Sequence, residues 1–357
     1  MNIKPSFALT SAVLLGLLSA ACNRNNQDTA ATFTLDSFEQ IAVPDNAGTP
    51  YRNDSLFLGS PRMIRFHPDG YLALLDRTET GQVTVIDLEN GDVQYLIKRG
   101  RGPEEVISVR DLVIRNKEIW ISGMMDQKIL KLVPEKARRE FSPQAVCTAG
   151  EQFLRAVPFA EGRLLTLASV SSGDRFHLLD GKGAVRDTTG SFPAVDQPGI
   201  TPDNAVCQSD ITVSPDNRHV AAACQSLEYI DIYDGEMNLQ KRLQGPQGFE
   251  PSLKSRETEM GVRIHYQDPL CLVYSDIVSD NRQFMVGYIG VRVKSESDLG
   301  ETIGTVLSFD WKGNPLKAYT FESDILSFDM DWKNNVMYCL ANRPEPQIIL
   351  YDLDSLE

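Results

Sequence analysis

Residues Ser60 to Ile97 read SPRMIRFHPDGYLALLDRTETGQVTVIDLENGDVQYLI. Four short runs that alternate apolar and polar residues are parted by Pro68-Asp69-Gly70, by Thr78 to Gly81 and by Asn90-Gly91. Gly and Asn accept positive φ and Asp bonds its own backbone, so each separator is a tight turn and each run a strand. Four antiparallel strands in roughly forty residues form one twisted sheet whose apolar faces need neighbours.

Copies of the unit follow along the chain. Second strands recur at Tyr71 to Leu75, Glu118 to Ile121, Arg163 to Leu167, His219 to Ala223, Gln283 to Gly287 and Val336 to Leu340. Third strands end at Asp87, Pro134, Asp180, Asp234, Asp310 and Asp352, spaced by 47, 46, 54, 76 and 42 residues. A period near 45 with two expanded members is the spacing of propeller blades, so the expected fold is an all-β, six-bladed propeller of four-stranded antiparallel blades. The sixth unit stops after its third strand, and the segment 32–41 (Thr32 to Ile41) is expected to supply the missing strand and close the ring.

Gly100-Arg101-Gly102-Pro103-Glu104-Glu105, with a looser echo at Gly245 to Glu250, is similar to a Gly-x-Gly-Pro-x-Glu segment after the first blade. With the period, it resembles six-bladed propellers of the NHL-like and TolB-like type found among Bacteroidetes lipoproteins. Trp-Asp, Tyr-Trp-Thr-Asp and Gly-Gly kelch signatures are absent from the sequence. The resemblance implies an envelope-anchored binding protein and no particular activity.

Residues 1–21 have the short apolar core and small-residue end of a signal peptide, and that core is too short to span a bilayer. Ser19-Ala20-Ala21 ahead of Cys22 resembles a lipobox, which implies a lipid on Cys22. Residues 22–31 then read as a flexible polar tether, and 32–357 as one propeller domain. Asn23 stands where an Asp would favour inner-membrane retention, so the outer membrane is the expected anchor. The tether also lacks the acidic run that would signal surface export.

The chain carries 35 basic and 49 acidic side chains, a net charge of −14. Such a surface excludes nucleic acid and anionic lipid as electrostatic partners. No cysteine pair has CxxC spacing and only 4 His occur, so neither a metal nor a cofactor is expected. Cys207 and Cys224 flank the turn at Pro215 to Asn217 and are read either as a disulfide or as two buried thiols.

In a meander the connections alternate between the two rims. First-to-second and third-to-fourth connections are tight throughout. Long ones, Arg99 to Ser108, Val195 to Val206, Gly245 to Leu270 and Gly290 to Gly304, share the opposite rim. Long loops gathered on one side point to a binding surface there. Its candidate ligand-binding residues are Arg62, Arg101, Arg110, Arg155, Asp210, His265, Tyr266 and Asp276; the arginines offer bidentate bonds to an acidic or zwitterionic group, and His265 and Tyr266 a cover. No catalytic constellation is present, and no residue is assigned a catalytic role. The expectation is a binding module for a small ligand, a glycan or an envelope protein. The alternative is a channel-carboxylate lyase or glycoside hydrolase using Asp210 or Asp276. Oligomeric state is not legible.

Overall fold

The structure is a computed structural model that describes residues 30–53, 56–135, 139–170, 172–193, 200, 202–249, 252–258, 261–267, 270–293, 302–342 and 345–356. The expected signal peptide, Cys22 and most of the expected tether lie outside these residues.

Blade 1 consists of Pro61–His67, Tyr71–Asp76, Val83–Asp87 and Val93–Leu96. Blade 2 comprises Val109–Arg115, Glu118–Gly123, Lys128–Glu135 and Glu140–Thr148. Blade 3 comprises Phe153–Pro158, Leu164–Ala168, Phe176–Leu179 and Val185–Thr189. Blade 4 comprises Ser209–Val213, His219–Cys224, Tyr229–Asp234 and Leu239–Gln244.

Blades 5 and 6 are continuous. Leu270–Ser279, Gln283–Val293 and Ile303–Asp310 are followed by the 17-residue strand Pro315–Asp331. Its first part pairs with Ile303–Asp310 as the outer strand of blade 5, and its second part pairs with Val336–Asn342 as the inner strand of blade 6. Pro346–Asp352 is the third strand of blade 6.

The turn chemistry read from sequence is present at the third-strand ends. One carboxylate oxygen of Asp180 accepts from Lys182 and Ala184 N–H (2.9 and 3.0 Å), and Asp234 and Asp310 do the same for their own turns. Neighbouring blades share apolar clusters, and Ile64, Leu72 and Leu74 of blade 1 pack with Leu340 and Ile348 of blade 6 to close the circle. Each fully buried aliphatic side chain of this kind contributes about 2 kcal/mol.

An N-terminal strand does close the ring, but the pairing residues differ from those expected. Thr49–Pro50 lies antiparallel to the third strand of blade 6, with Pro50 opposite Ile349. The segment 32–41 sits elsewhere: Ala31–Thr32 runs parallel to the outer strand of blade 4, and Glu39–Val43 parallel to that of blade 5. Phe33 and Phe38 explain the detour, because both are buried edge-on against Phe309 of blade 5 at 5.2 and 5.1 Å. Apolar burial there draws the chain along two more blade edges before it reaches the gap.

The long connection between blades 4 and 5 also has its own structure. Leu253–Thr258 and Gly261–Tyr266 form a hairpin that buries Leu253 and Ile264 against Val206, Cys207, Cys224 and Leu227.

Candidate functional site

A cavity of about 470 Å³ occupies the channel, lined by the inner strands of all six blades. Its wall includes Phe66, Val113, Val157, Ile211, Val213, Ile277, Val278 and Met330, and its mouth is framed by Pro68, Asn116, Lys117, Pro215, Trp332 and Lys333. Every mouth residue belongs to a first-to-second connection, so the cavity opens on the short-turn rim, opposite the rim expected from loop length. The tight turns at this rim leave the mouth open.

Buried charge closes the inner end. Arg65 of blade 1 donates two bonds to Asp276 of blade 5, at 3.2 and 2.5 Å. Arg155 of blade 3 binds Asp111 of blade 2 at 3.1 Å and also Asp210 of blade 4. Asp276 further accepts from Ser327 Oγ (2.5 Å) and Phe328 N–H (3.1 Å), while its own N–H donates to Asp210 (2.8 Å). Asp329 of blade 6 accepts from the N–H groups of Phe66 (2.8 Å) and Met330 (2.7 Å). Among the described residues no cation forms a salt bridge with Asp329.

Four carboxylates thus face two guanidiniums in a buried layer. Burial raises the Asp210 carboxyl above the usual range, against the pull of Arg155. Burial pushes Asp329 up to about 6, again opposed by a nearby guanidinium, here Arg65. Above this layer Arg115 straps the wall: its guanidinium donates to Val213 O (2.7 Å), Pro215 O (3.4 Å) and Asn217 Oδ1 (2.5 Å), reaching from blade 2 to blade 4.

Of the eight candidates, Arg155, Asp210 and Asp276 meet in this layer. Arg62 and Arg110 do not line the cavity; each sits where the inner strand slips by one residue against its neighbour, between Pro61 and Met63 and between Val109 and Asp111. Arg101 is exposed, and its segment is a structural knot: Lys128 Nζ donates to Arg101 O (3.2 Å), Gly102 O (2.5 Å) and Glu105 O (2.9 Å), and Glu105 accepts from Gly102 N–H (2.9 Å). A side chain at Gly100 would collide with the Glu105 carboxylate at 1.9 Å. His265 is exposed on the added hairpin. Tyr266 is its anchor, donating to Val206 O at 2.5 Å, and burial raises its hydroxyl pKa. Cys207 and Cys224 are neighbouring free thiols, with Ser209 rather than Cys207 opposite Cys224 in the register.

Arg65, Asp111, Arg115 and Asp329 were not among the candidates. Counting back in twos from the last paired residue before each turn finds them: Arg65 lies two before His67, Asp329 two before Asp331 and Asp111 four before Arg115.

Ring and channel define the class: a six-bladed β-propeller with an axial cavity. The sequence matches the TolB-like 6-blade propeller-like family over residues 56–333, and the chain belongs to that family. It is similar in fold to a crystal structure of a Bacteroides fragilis protein described as exported, at 13% identity and a TM-score of 0.55, covering 90% of this chain and 99% of that one. A streptogramin B lyase is a weaker structural match, at 13% identity and a TM-score of 0.46 over 84% of this chain and 95% of that one. No curated protein matches the chain.

Proposed function

We propose that the protein is an exported binding protein of the cell envelope that takes a small, largely apolar ligand into the channel from the short-turn rim. The observation that carries this is the cavity of about 470 Å³, with a largely apolar wall and its charge gathered mostly at the inner end and mouth. This volume lies within the usual range for small-molecule sites, roughly 300 to 1,000 Å³. A small ligand fits this shape better than a glycan or a protein face, which would need a broad polar or aromatic platform. Of the arginines first read as anion clamps, Arg155 is committed to Asp111 and Asp210 while Arg62, Arg101 and Arg110 do not line the cavity, which turns the reading away from an acidic ligand. Ion pairs with Arg155 and Arg65 occupy Asp210 and Asp276, the groups that a lyase or glycosidase would need.

Export and anchoring through Cys22 rest on the signal-like N-terminus and on the likeness to a protein described as exported. Incorporation of labelled palmitate that is lost in Cys22→Ser tests the anchor, and incorporation that persists overturns it. The site is tested with a neutral apolar fluorophore, N-phenylnaphthylamine, titrated into the purified protein. Saturable one-to-one binding, lost in Val113→Trp without loss of melting temperature, is expected. Absence of saturable binding, or binding that survives the Trp, rejects the cavity as the site.

A further inference from the structure

We infer that the ligand's inner end is an organic cation, an amine or quaternary ammonium group, received by Asp329. This rests on the reading of the channel cavity as the binding site and adds the charge of the ligand to it.

Charge balance supplies the first part of the argument. In the buried layer Asp111, Asp210, Asp276 and Asp329 face Arg65 and Arg155, while Arg115, Lys117, Asp331 and Lys333 line the cavity nearer its mouth. Arg65 is spent on Asp276, and Arg155 on Asp111 and Asp210. Buried ions persist when paired, and an unpaired one is costly. A ligand anion arriving here would meet an excess of carboxylate. A cation would reduce that excess.

Asp329 is the receiving group by geometry. It is 8% exposed, lines the cavity, and each of its oxygens takes a single backbone N–H, from Phe66 and from Met330, leaving lone pairs for a ligand donor. Phe66, whose N–H binds Asp329, lines the cavity beside it. Aromatic faces beside a carboxylate attract an alkylammonium group through both charge and ring quadrupole. Phe66 is fixed for this by stacking on Tyr338 at 5.1 Å and 10°.

An organic cation suits the site better than a metal ion. No grouping of three or more metal-binding side chains exists among the described residues, and the wall beyond Asp329 is apolar. Burial pushes the Asp329 carboxyl up to about 6 even with Arg65 pulling it down, so a ligand cation at this carboxylate would be favoured as well.

The test compares three probes of one shape, phenethylamine, phenethyl alcohol and hydrocinnamate, by calorimetry with the purified protein at neutral pH. The amine is expected to bind about tenfold or more tighter than the alcohol, the usual worth of a charged hydrogen bond. Hydrocinnamate is expected to bind least. Asp329→Asn is expected to erase the amine's advantage and leave the alcohol's affinity unchanged, which also shows that the variant is folded. The advantage should fade as pH drops below about 6, where Asp329 takes up a proton while the amine stays charged. If the alcohol or hydrocinnamate binds as tightly as the amine, or the Asn variant keeps the preference, the cation assignment is wrong and the cavity reading stands. If none of the three binds, the cavity reading falls and the assignment with it. Competition by calcium chloride matching that of the amine assigns the site to a metal and overturns the inference.

Discussion

Arg65 of blade 1 grips Asp276 of blade 5, reaching past blade 6, whose Ser327 and Phe328 bind the same carboxylate. Three blades are tied at one side chain. Removing its charge strands a buried guanidinium, so Asp276→Asn is expected to cost about 3 kcal/mol, and Arg65→Met with Asp276→Asn less than the two separate losses added together. Asn is the substitution of choice because Asp276 has φ of 62°, which Asn tolerates. Urea denaturation of the four proteins checks this, and simple additivity contradicts it.

Asp329 gives stability a pH dependence of defined sign. An ordinary carboxyl releases its proton near pH 4, but burial holds Asp329 up to about 6. Between these values the native state keeps a proton that the unfolded chain has lost. The contribution is therefore complete at low pH and lost as pH rises through about 6. Asp329→Asn removes it, so the variant is expected to gain on the wild type by roughly 2 kcal/mol between pH 4 and pH 7. A lost backbone bond adds a constant offset without changing that slope. Parallel curves for the two proteins would refute the assignment.

Phe38 is 5% exposed and packs on Phe33 and Phe309 at 5.8 and 5.1 Å. Phe38→Ala is expected to cost about 3 kcal/mol and to loosen the N-terminal segment. Faster amide exchange in Glu39–Val43 than in the inner strands is the signature to measure.

Tyr266→Phe removes the bond to Val206 O and is expected to cost about 1 kcal/mol. Its effect should be confined to the added hairpin, seen as faster exchange in Leu253–Thr258 and Gly261–Tyr266, with fluorophore binding in the channel unchanged. Loss of that binding would return the site to the long-loop rim.

Cys207, Cys224, Cys271 and Cys339 are buried, and Cys147 is half-buried. Among these five, maleimide is expected to label only Cys147 in the native protein and the other four only after unfolding. Failure of Cys207 and Cys224 to label in denaturant without reductant would show a disulfide instead.

Blade number and turn placement were legible because both are local. Asp180, Asp234 and Asp310 announce turns by bonding their own backbone, and that chemistry needs no distant partner. The channel residues were only half legible. Arg155, Asp210 and Asp276 were found, while Arg62 and Arg110 were chosen and Arg65 and Asp111 missed, because the pairings of Arg65 with Asp276 and of Asp111 with Arg155 join separate blades and leave no mark in composition. Loop length pointed to the long-loop rim, whereas the cavity mouth lies at the short turns, because loop length measures material and not the opening of the channel. Ring closure turned on Phe33 and Phe38, whose burial against blade 5 depends on tertiary packing that alternation alone does not reveal.

The route of the N-terminal segment has a mechanical consequence. Glu39–Val43 lies parallel to the outer strand of blade 5, from Glu39 opposite Lys317 to Val43 opposite Phe321. Tension entering from the N-terminus is directed along that strand, so its rungs share the load and must fail together instead of unzipping singly. A protein held to a membrane through this end would therefore bear drag in shear, and the outer edges of blades 4 and 5 would take it before the channel felt any distortion.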